Sequence, residues 1–172
     1  LIYFFLVLCL CARPASFIPV ITNYSSTVYN GGLQNWSVTQ GDNGEIYIGN
    51  NNGVLVYDGY TWHKWAIPGN AIVRSVFYNH GRLYVGSQEE FGYMTRNKMG
   101  EMTYHSLWKQ LRGYQPHNDE IWKILKTKDN KIIFQSFCSW FEYDGHRVQA
   151  HYNAAQLPLY FFNIKGTIYV QL

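Results

Sequence analysis

The sequence is short of charge, of cysteine and of long hydrophobic runs. Asp, Glu, Lys and Arg make up 15% of its 172 residues, and the 14 basic side chains are scattered singly, which excludes the basic patch of a nucleic-acid-binding domain. The apolar run over residues 1–12 falls short of the roughly 20 residues that a membrane-spanning helix needs. The three cysteines and six histidines show no metal-ligand spacing, so we predict no metal site and no cofactor.

Motifs of catalysis are missing as well. The sequence contains no nucleophile elbow, phosphate-binding loop or dinucleotide fingerprint. Its only neighbouring carboxylates are Glu89-Glu90 and Asp119-Glu120. Glycoside chemistry needs two carboxylates about 5–10 Å apart across the scissile bond, and adjacent residues of one loop do not establish that spacing. We therefore predict no catalytic residue and no enzymatic activity for this chain.

Apolar and aromatic residues, by contrast, are abundant. Hydrophobic residues make up 47% of the chain, which has 15 Tyr, 10 Phe and 6 Trp. Such a chain has enough apolar surface to fold, which excludes intrinsic disorder. The 15 Gly and 5 Pro follow no short repeat, which excludes collagen-like and low-complexity chains.

The first residues have the pattern of an export signal. Residues 1–12 are uncharged and apolar, and Arg13, Pro14 and two small residues follow, as at the end of a signal peptide. We predict a signal peptide over residues 1–16; the alternatives are a buried strand or the end of a longer membrane anchor. Cys138 is then the only cysteine of the mature chain, so this part has no internal disulfide. Because the sequence starts without Met and stops inside an apolar run, we expect it to be a fragment.

One sequence pattern occurs four times, with a period of about 40 residues. Each copy has an apolar run, a gap of three residues and a second run, over residues 46–57, 83–94, 132–143 and, incomplete, 168–171. A strand-like run precedes every copy, at 36–40, 74–78, 121–126 and 159–164, and another follows the first three, at 62–65, 102–105 and 147–151. Apart from residues 106–112, where a helical turn fits, no stretch has helical periodicity.

The turns between these runs support an all-β fold. Asp58-Gly59 and Asp144-Gly145 separate apolar runs, and Asp-Gly is a strong hairpin signal because Gly adopts positive φ freely. Units of four short antiparallel strands predict a β-propeller with three complete N-terminal blades and a truncated fourth. A β-sandwich is the alternative, but it does not require the same three-residue gap in every unit. We assign blades to residues 36–70, 71–117, 118–156 and 157–172, and an extended segment with a possible ring-closing strand to 17–35.

Aromatic side chains in the strands are expected to serve packing. A single blade cannot bury both of its faces, so large side chains must fill the wedge between neighbouring blades. We predict that Trp36, Phe77, Trp122 and Phe162 fill these wedges.

Propeller connectivity places the longer, more varied loops on one face. These are the turns between second and third strands and the links between blades, and they converge on a central channel. Amide and carboxylate groups beside Trp36, Trp122 and Phe137 would suit a sugar, with hydroxyls bonded at the edge and a ring stacked on the aromatic face. The alternative is that the polar residues cap turns. The candidate ligand-binding residues are Asn50, Asn51, Asn52, Arg74, Gln88, Glu89, Glu90, Asn118, Asp119, Glu120 and Gln135.

Several segments resemble a known repeat family. Residues 34–38, 44–50, 53–59 and 89–93 read QNWSV, GEIYIGN, GVLVYDG and EEFGY. They resemble the two-component-regulator propeller repeats of Bacteroidetes envelope sensors, over residues 21–172. The EEFGY run is similar to the branch in which a triple-tyrosine domain, a membrane span and a LuxR-type helix-turn-helix follow the propeller; another branch ends in a hybrid histidine kinase.

The resemblance implies a function that the composition alone does not predict. It implies a periplasmic, homodimeric sensor of carbohydrate breakdown products, anchored in the inner membrane and regulating transcription through modules that lie outside this chain. A small saccharide is the expected ligand, and no nucleic acid binds this part. The alternatives are an exported propeller polysaccharide lyase or hydrolase, and a protein-interaction scaffold.

Overall fold

A computed structural model describes residues 19–172, so the predicted signal peptide lies outside the described residues. Within this range the regular structure is almost entirely β, with one four-residue helix, α1 (Ser26–Tyr29), and two short 3-10 turns, Pro68–Asn70 and Trp108–Gln110. The second of these turns lies within the segment where a helical turn was predicted. The strands in chain order are β1 (Asn35–Gln40), β2 (Ile46–Asn50), β3 (Gly53–Tyr57), β4 (Trp62–Trp65), β5 (Ser75–Asn79), β6 (Arg82–Gly86), β7 (Phe91–Arg96), β8 (Met102–Ser106), β9 (Lys123–Lys126), β10 (Ile132–Gln135), β11 (Ser139–Tyr143), β12 (Val148–Tyr152), β13 (Tyr160–Ile164) and β14 (Thr167–Gln171).

The strands form four antiparallel sheets in series. Three sheets have four strands, in the orders β1-β2-β3-β4, β5-β6-β7-β8 and β9-β10-β11-β12, and β13 pairs with β14. Every neighbour in a sheet is also a neighbour in sequence, so each sheet is a simple meander. The first strands of successive sheets, β1, β5, β9 and β13, contact one another. Sheets joined along their first strands are propeller blades arranged around a channel, which confirms the predicted β-propeller.

The Asp-Gly turns have the geometry that the sequence predicts. Gly59 and Gly145 have φ of 101° and 100°, a region that favours glycine. The Asp58 carboxylate accepts hydrogen bonds from the backbone N–H groups of Tyr60 and Thr61, at 2.8 and 2.7 Å. These bonds lower the pKa of Asp58, because they stabilise the ionised carboxylate. Each turn therefore fixes the register of the third and fourth strands of its blade.

The hydrophobic core lies between blades and not within them. One buried cluster joins the first two blades and includes Tyr47, Val54 and Val76. A second cluster joins the second and third blades and includes Phe91, Phe134 and Phe141; the ring centroids of Phe91 and Phe134 are 4.5 Å apart. Each blade is thus stable only beside its neighbours, because its apolar faces are buried by them.

The predicted wedge residues divide into two groups. Phe77 packs against the second core cluster, as predicted. The prediction was wrong for Trp36, whose side chain remains 36% exposed. Phe162 is 42% exposed, but it lies in the two-stranded last sheet, which no further blade of the described residues follows, so its wedge packing stays a prediction. Trp36 and Trp122 lie next to each other at the end of the channel, with ring centroids 6.0 Å apart, and not in a wedge between two blades.

The segment before the first blade is not extended throughout. Helix α1 interrupts the stretch that was predicted to be extended, and its buried Tyr29 packs on Trp62 of β4 with ring centroids 5.6 Å apart. The Tyr24 and Tyr57 hydroxyls hydrogen-bond at 2.9 Å. The segment is therefore attached to the outer strand of the first blade. Residues 19–24 pair with no strand of the described chain, and the ring-closing strand stays a prediction.

Candidate functional site

One position recurs at the same place in each blade: it is the residue directly before the first strand in the second, third and fourth blades, and its equivalent inside β1 in the first blade. A backbone N–H at this position donates to the backbone carbonyl of the last residue of the adjacent second strand. The pairs are Arg74 with Gly86, Trp122 with Gln135, and Leu159 with Gln171. Trp36 occupies this position in the first blade, because the next residue, Ser37, pairs with Gly49. A β-bulge between Asn35 and Ser37 accommodates it. Each blade thus contributes one side chain to the same end of the channel.

Three of these side chains form a stack. The guanidinium carbon of Arg74 lies 3.9 Å from the ring centroid of Trp36 and 5.0 Å from that of Trp122. The two tryptophan rings are 6.0 Å apart and steeply tilted. A guanidinium over an aromatic face gains about 0.5–2 kcal/mol, depending on how far it is removed from water. The stack therefore fixes residues of three blades against one another.

Two polar residues complete the arrangement. Arg74 Nε donates a hydrogen bond to Glu120 Oε1, forming a partly buried ion pair. Trp36 Nε1 donates to Asn51 Oδ1 at 2.7 Å. We call Trp36, Asn51, Arg74, Glu120 and Trp122 the channel-mouth cluster. It brings together Asn51, Arg74 and Glu120 of the predicted site residues.

A short contact between loops joins the second and third blades beside this cluster. Gln88 and Glu120 form an isolated antiparallel bridge, and Gln88 Nε2 donates to Asn118 Oδ1 at 2.8 Å. The backbone N–H of Glu89 donates to the carbonyl of Asp119 at 2.8 Å. Glu89 and Asn118 both adopt positive φ, which is unfavourable for residues with a Cβ. The pairing of the two loops holds them in this conformation.

A cleft opens between this contact and the link from the first to the second blade. Its volume is about 290 Å³, at the lower end of the range for ligand sites. Its lining combines apolar and polar groups: Ala71, Ile72, Arg74, Ser87, Gln88, Glu89 and Glu120. Four of these seven residues belong to the predicted set. The side chains of Ala71, Ile72 and Ser87 carried no signal in the sequence, because small and apolar loop residues are common everywhere.

Asn50 and Gln135 lie beneath the surface and hydrogen-bond the backbone of neighbouring segments. Both side chains are fully buried. Asn50 Nδ2 donates to the carbonyls of Gly32 and Gln34 and to Asn35 Oδ1, and its Oδ1 accepts from two backbone N–H groups. Gln135 Nε2 donates to the Leu159 carbonyl. Because both side chains are fully buried and bonded to protein groups, we leave both residues out of the proposed site.

Asp119 and Glu90 are also engaged by protein groups. The buried Asp119 carboxylate accepts from Tyr114 Oη at 2.7 Å and from Ser136 Oγ at 2.8 Å. Burial, with the hydrogen bond to Asp119, raises the pKa of Tyr114. Glu90 Oε1 accepts from Tyr104 and Ser106. Asp119 is therefore buried and bonded to protein groups, and Glu90 uses one carboxylate oxygen to bond Tyr104 and Ser106.

The remaining predicted residue, Asn52, is exposed and does not line the cleft. Phe137 was predicted to lie beside a bound sugar. Its ring centroid is 5.9 Å from that of Trp122, and its side chain is 46% exposed. Among residues 19–172, no three His, Cys, Asp or Glu side chains are grouped so as to hold a metal ion. Over the same residues, no helix has the length and apolar character needed to cross a membrane.

Comparisons with solved structures find the same fold. The extracellular domain of a Bacteroides thetaiotaomicron protein described as a one-component system matches with a TM-score of 0.66 and 13% identity, over 87% of this chain and 22% of that chain. The extracellular domain of a hybrid two-component system from the same organism matches with a TM-score of 0.60 and 18% identity, over 87% and 20%. Catalytically inactive virginiamycin B lyase from Staphylococcus aureus with quinupristin matches with a TM-score of 0.59 and 13% identity, over 84% and 50%.

These similarities concern the fold. This chain spans about a fifth of the length of the two B. thetaiotaomicron domains. The two domains come from the class of envelope regulators that the repeat segments resemble. The sequence matches no protein-family profile and no curated protein.

Proposed function

We propose that this chain is part of an exported, ligand-sensing propeller of an envelope-spanning transcriptional regulator. The observation that carries the proposal is the channel-mouth cluster, in which single side chains from three blades meet beside a cleft with polar lining. Two of the structural neighbours are extracellular domains of one- and two-component systems, which supports a sensing role on the periplasmic side.

The ligand in this proposal is a small saccharide. Gln88, Glu89 and Glu120 present amide and carboxylate groups to the cleft, and these groups bond sugar hydroxyls well. Trp36 and Phe137 are partly exposed and both lie beside Trp122, where they offer apolar surface for a pyranose ring. A ligand bound here contacts loops of two blades and can bias the arrangement of two propellers in a homodimer, by no more than its differential affinity for the two arrangements.

The test is calorimetry of the full-length protein against a panel of neutral and acidic oligosaccharides of two to six units, with product analysis of the same mixtures. The proposal expects binding without products, weakened at least tenfold by Gln88→Ala or Glu120→Gln. Asn52→Ala, an exposed loop change outside the cleft, is the control and should leave the affinity unchanged. Binding that survives both cleft changes would remove this face from the proposal.

An exported propeller lyase or hydrolase is the second candidate. The observation that favours it is the similarity to virginiamycin B lyase, an enzyme with this fold. It predicts products in the same mixtures, at a rate that Glu120→Gln lowers. Export, common to both candidates, is tested by N-terminal sequencing of the protein from its natural host: the mature chain should begin near Phe17, and a chain that keeps residues 1–12 in the cytoplasm contradicts it.

A further inference from the structure

The charges around the cleft restrict what its ligand can be. The cleft is lined by one guanidinium, that of Arg74, and by two carboxylates, those of Glu89 and Glu120. Its formal charge is therefore negative. The nearby ammonium of Lys123, which follows Trp122 in sequence, lies 4.3 Å from the ring centroid of Tyr160 on the next blade and is not part of the lining.

Arg74 cannot act as an anion clamp in this arrangement. Arginine binds a carboxylate or sulfate best through two parallel N–H bonds from one edge of the guanidinium. The Nε of Arg74 is already bonded to Glu120, and Nη1 is buried and has no hydrogen-bond partner in the described chain. Trp36 and Trp122 lie against the guanidinium. With Nε bonded and Nη1 buried, neither edge of the guanidinium has two accessible nitrogens, so Arg74 can offer an anion no more than a single bond from Nη2.

The groups that remain available are mainly acceptors. Gln88 uses one hydrogen of its Nε2 to bond Asn118, which leaves its Oε1 as an acceptor and one N–H as a donor. Among residues 19–172, no side-chain or backbone group donates to the exposed Glu89 carboxylate. Such a lining recognises a ligand that brings hydroxyl donors, and it disfavours an acidic group because that group would meet the Glu89 carboxylate while the only lining cation is paired with Glu120.

We propose that the cleft binds an uncharged, hydroxyl-rich saccharide and discriminates against its acidic counterparts. The inference rests on the proposed function, since it assigns the ligand class of the same site. Glu89 is the residue that sets the discrimination, because Glu120 is paired with Arg74 and Glu89 is not. Hydroxyl groups of the ligand donate to it, and a uronic acid carboxylate is repelled by it.

The experiment compares each neutral oligosaccharide with its C6-carboxylate derivative of the same linkage and length. Cello- and mannooligosaccharides of two to six units, paired with β-1,4-oligoglucuronates and β-1,4-oligomannuronates, are titrated into the full-length protein. We expect a neutral member to bind and its acidic counterpart to bind at least about tenfold more weakly, a difference of about 1.4 kcal/mol. The difference should widen at low ionic strength, because exposed charges are then screened less.

The variant Glu89→Gln should remove most of the difference by raising the affinity for the acidic member. Glu101→Gln is the matched control. It makes the same change in net charge at an exposed carboxylate in the turn before β8, at the opposite end of the strands, and it should preserve the discrimination. An acidic oligosaccharide that binds as well as its neutral counterpart overturns this inference and leaves the sensor proposal in place. Binding of no saccharide of either kind, in this set or in the wider panel, overturns the proposed ligand class, and the inference with it.

Discussion

Replacing Arg74 by Met tests how strongly the channel-mouth cluster holds three blades together. Met keeps an apolar stem of similar length but removes the guanidinium, so Glu120 loses its partner and both tryptophan rings lose the cation. The side chains of Arg74 and Glu120 are 16% and 26% exposed. Breaking a fully buried pair costs about 3–5 kcal/mol and breaking an exposed one about 0–1 kcal/mol. For this intermediate pair together with the lost cation–π contact, we expect a loss of about 2–3 kcal/mol in the free energy of unfolding.

The assay is urea unfolding followed by tryptophan fluorescence and by circular dichroism. Lys131→Met is the matched control. Lys131 forms an ion pair with Glu142 at 2.7 Å, but its side chain is 36% exposed and makes no cation–π contact with a tryptophan of the described chain. It should cost less than about 1 kcal/mol. The double variant Arg74→Met with Glu120→Gln should lose less than the sum of the single changes, because it leaves no unpaired carboxylate. A loss for Arg74→Met no larger than that for Lys131→Met would refute the reasoning.

Three further changes test other parts of the fold. Asn50→Ala removes a buried side chain that makes five hydrogen bonds and should lower stability in urea by about 2–4 kcal/mol, whereas exposed Asn52→Ala should change it by less than about 0.5 kcal/mol; similar losses would contradict the supporting role of Asn50. Gly92→Ala places a Cβ 2.1 Å from the His105 carbonyl oxygen and should cost about 1–3 kcal/mol, visible as a lower midpoint of thermal unfolding; an unchanged midpoint would show that the two strands separate freely there. Burial holds the pKa of His151 below its usual value of 6.5. The stabilisation that the neutral His151 side chain provides is therefore complete above pH 6.5 and is lost as the pH falls through the lower folded-state pKa. His151→Phe should flatten this part of the pH profile of stability in urea, and an unaltered profile would exclude His151 as the cause.

The repeat was readable in the sequence because each strand is specified locally. Alternating apolar residues determine the strands, and Asp-Gly pairs determine the turns. The strands 132–135 and 139–143 were predicted with the bounds that the structure has. The bounds were displaced where the chain is irregular, as at β1, whose bulge adds a residue at the start of the strand.

The candidate site was harder to predict because its contacts are distant in sequence. Loop Asn and Asp residues suit ligand binding and turn capping equally well, and only the fold distinguishes them. Asn50 is buried because residues 32–35, which precede the first repeat, fold back over it. The pair of Arg74 and Glu120 joins residues 46 positions apart. Alignment of the blades places Trp36, Arg74 and Trp122 at one position. The prediction of wedge packing for the two tryptophans used only the size of their side chains and their place in a strand.

The recurrence of one position at the start of each blade has an evolutionary consequence. Trp36, Arg74, Trp122 and Leu159 are chemically unlike one another, yet the same backbone hydrogen bond holds Arg74, Trp122 and Leu159 in place. Because a backbone bond does not depend on the side chain, a point mutation at such a position changes the chemistry of the channel mouth and leaves the strand pairing that positions the residue in place. Duplication of a blade would likewise add one new side chain to the ring. Selection for a new ligand can thus act on a few single codons, and its cost in stability depends on the contacts that each side chain makes, as at Arg74.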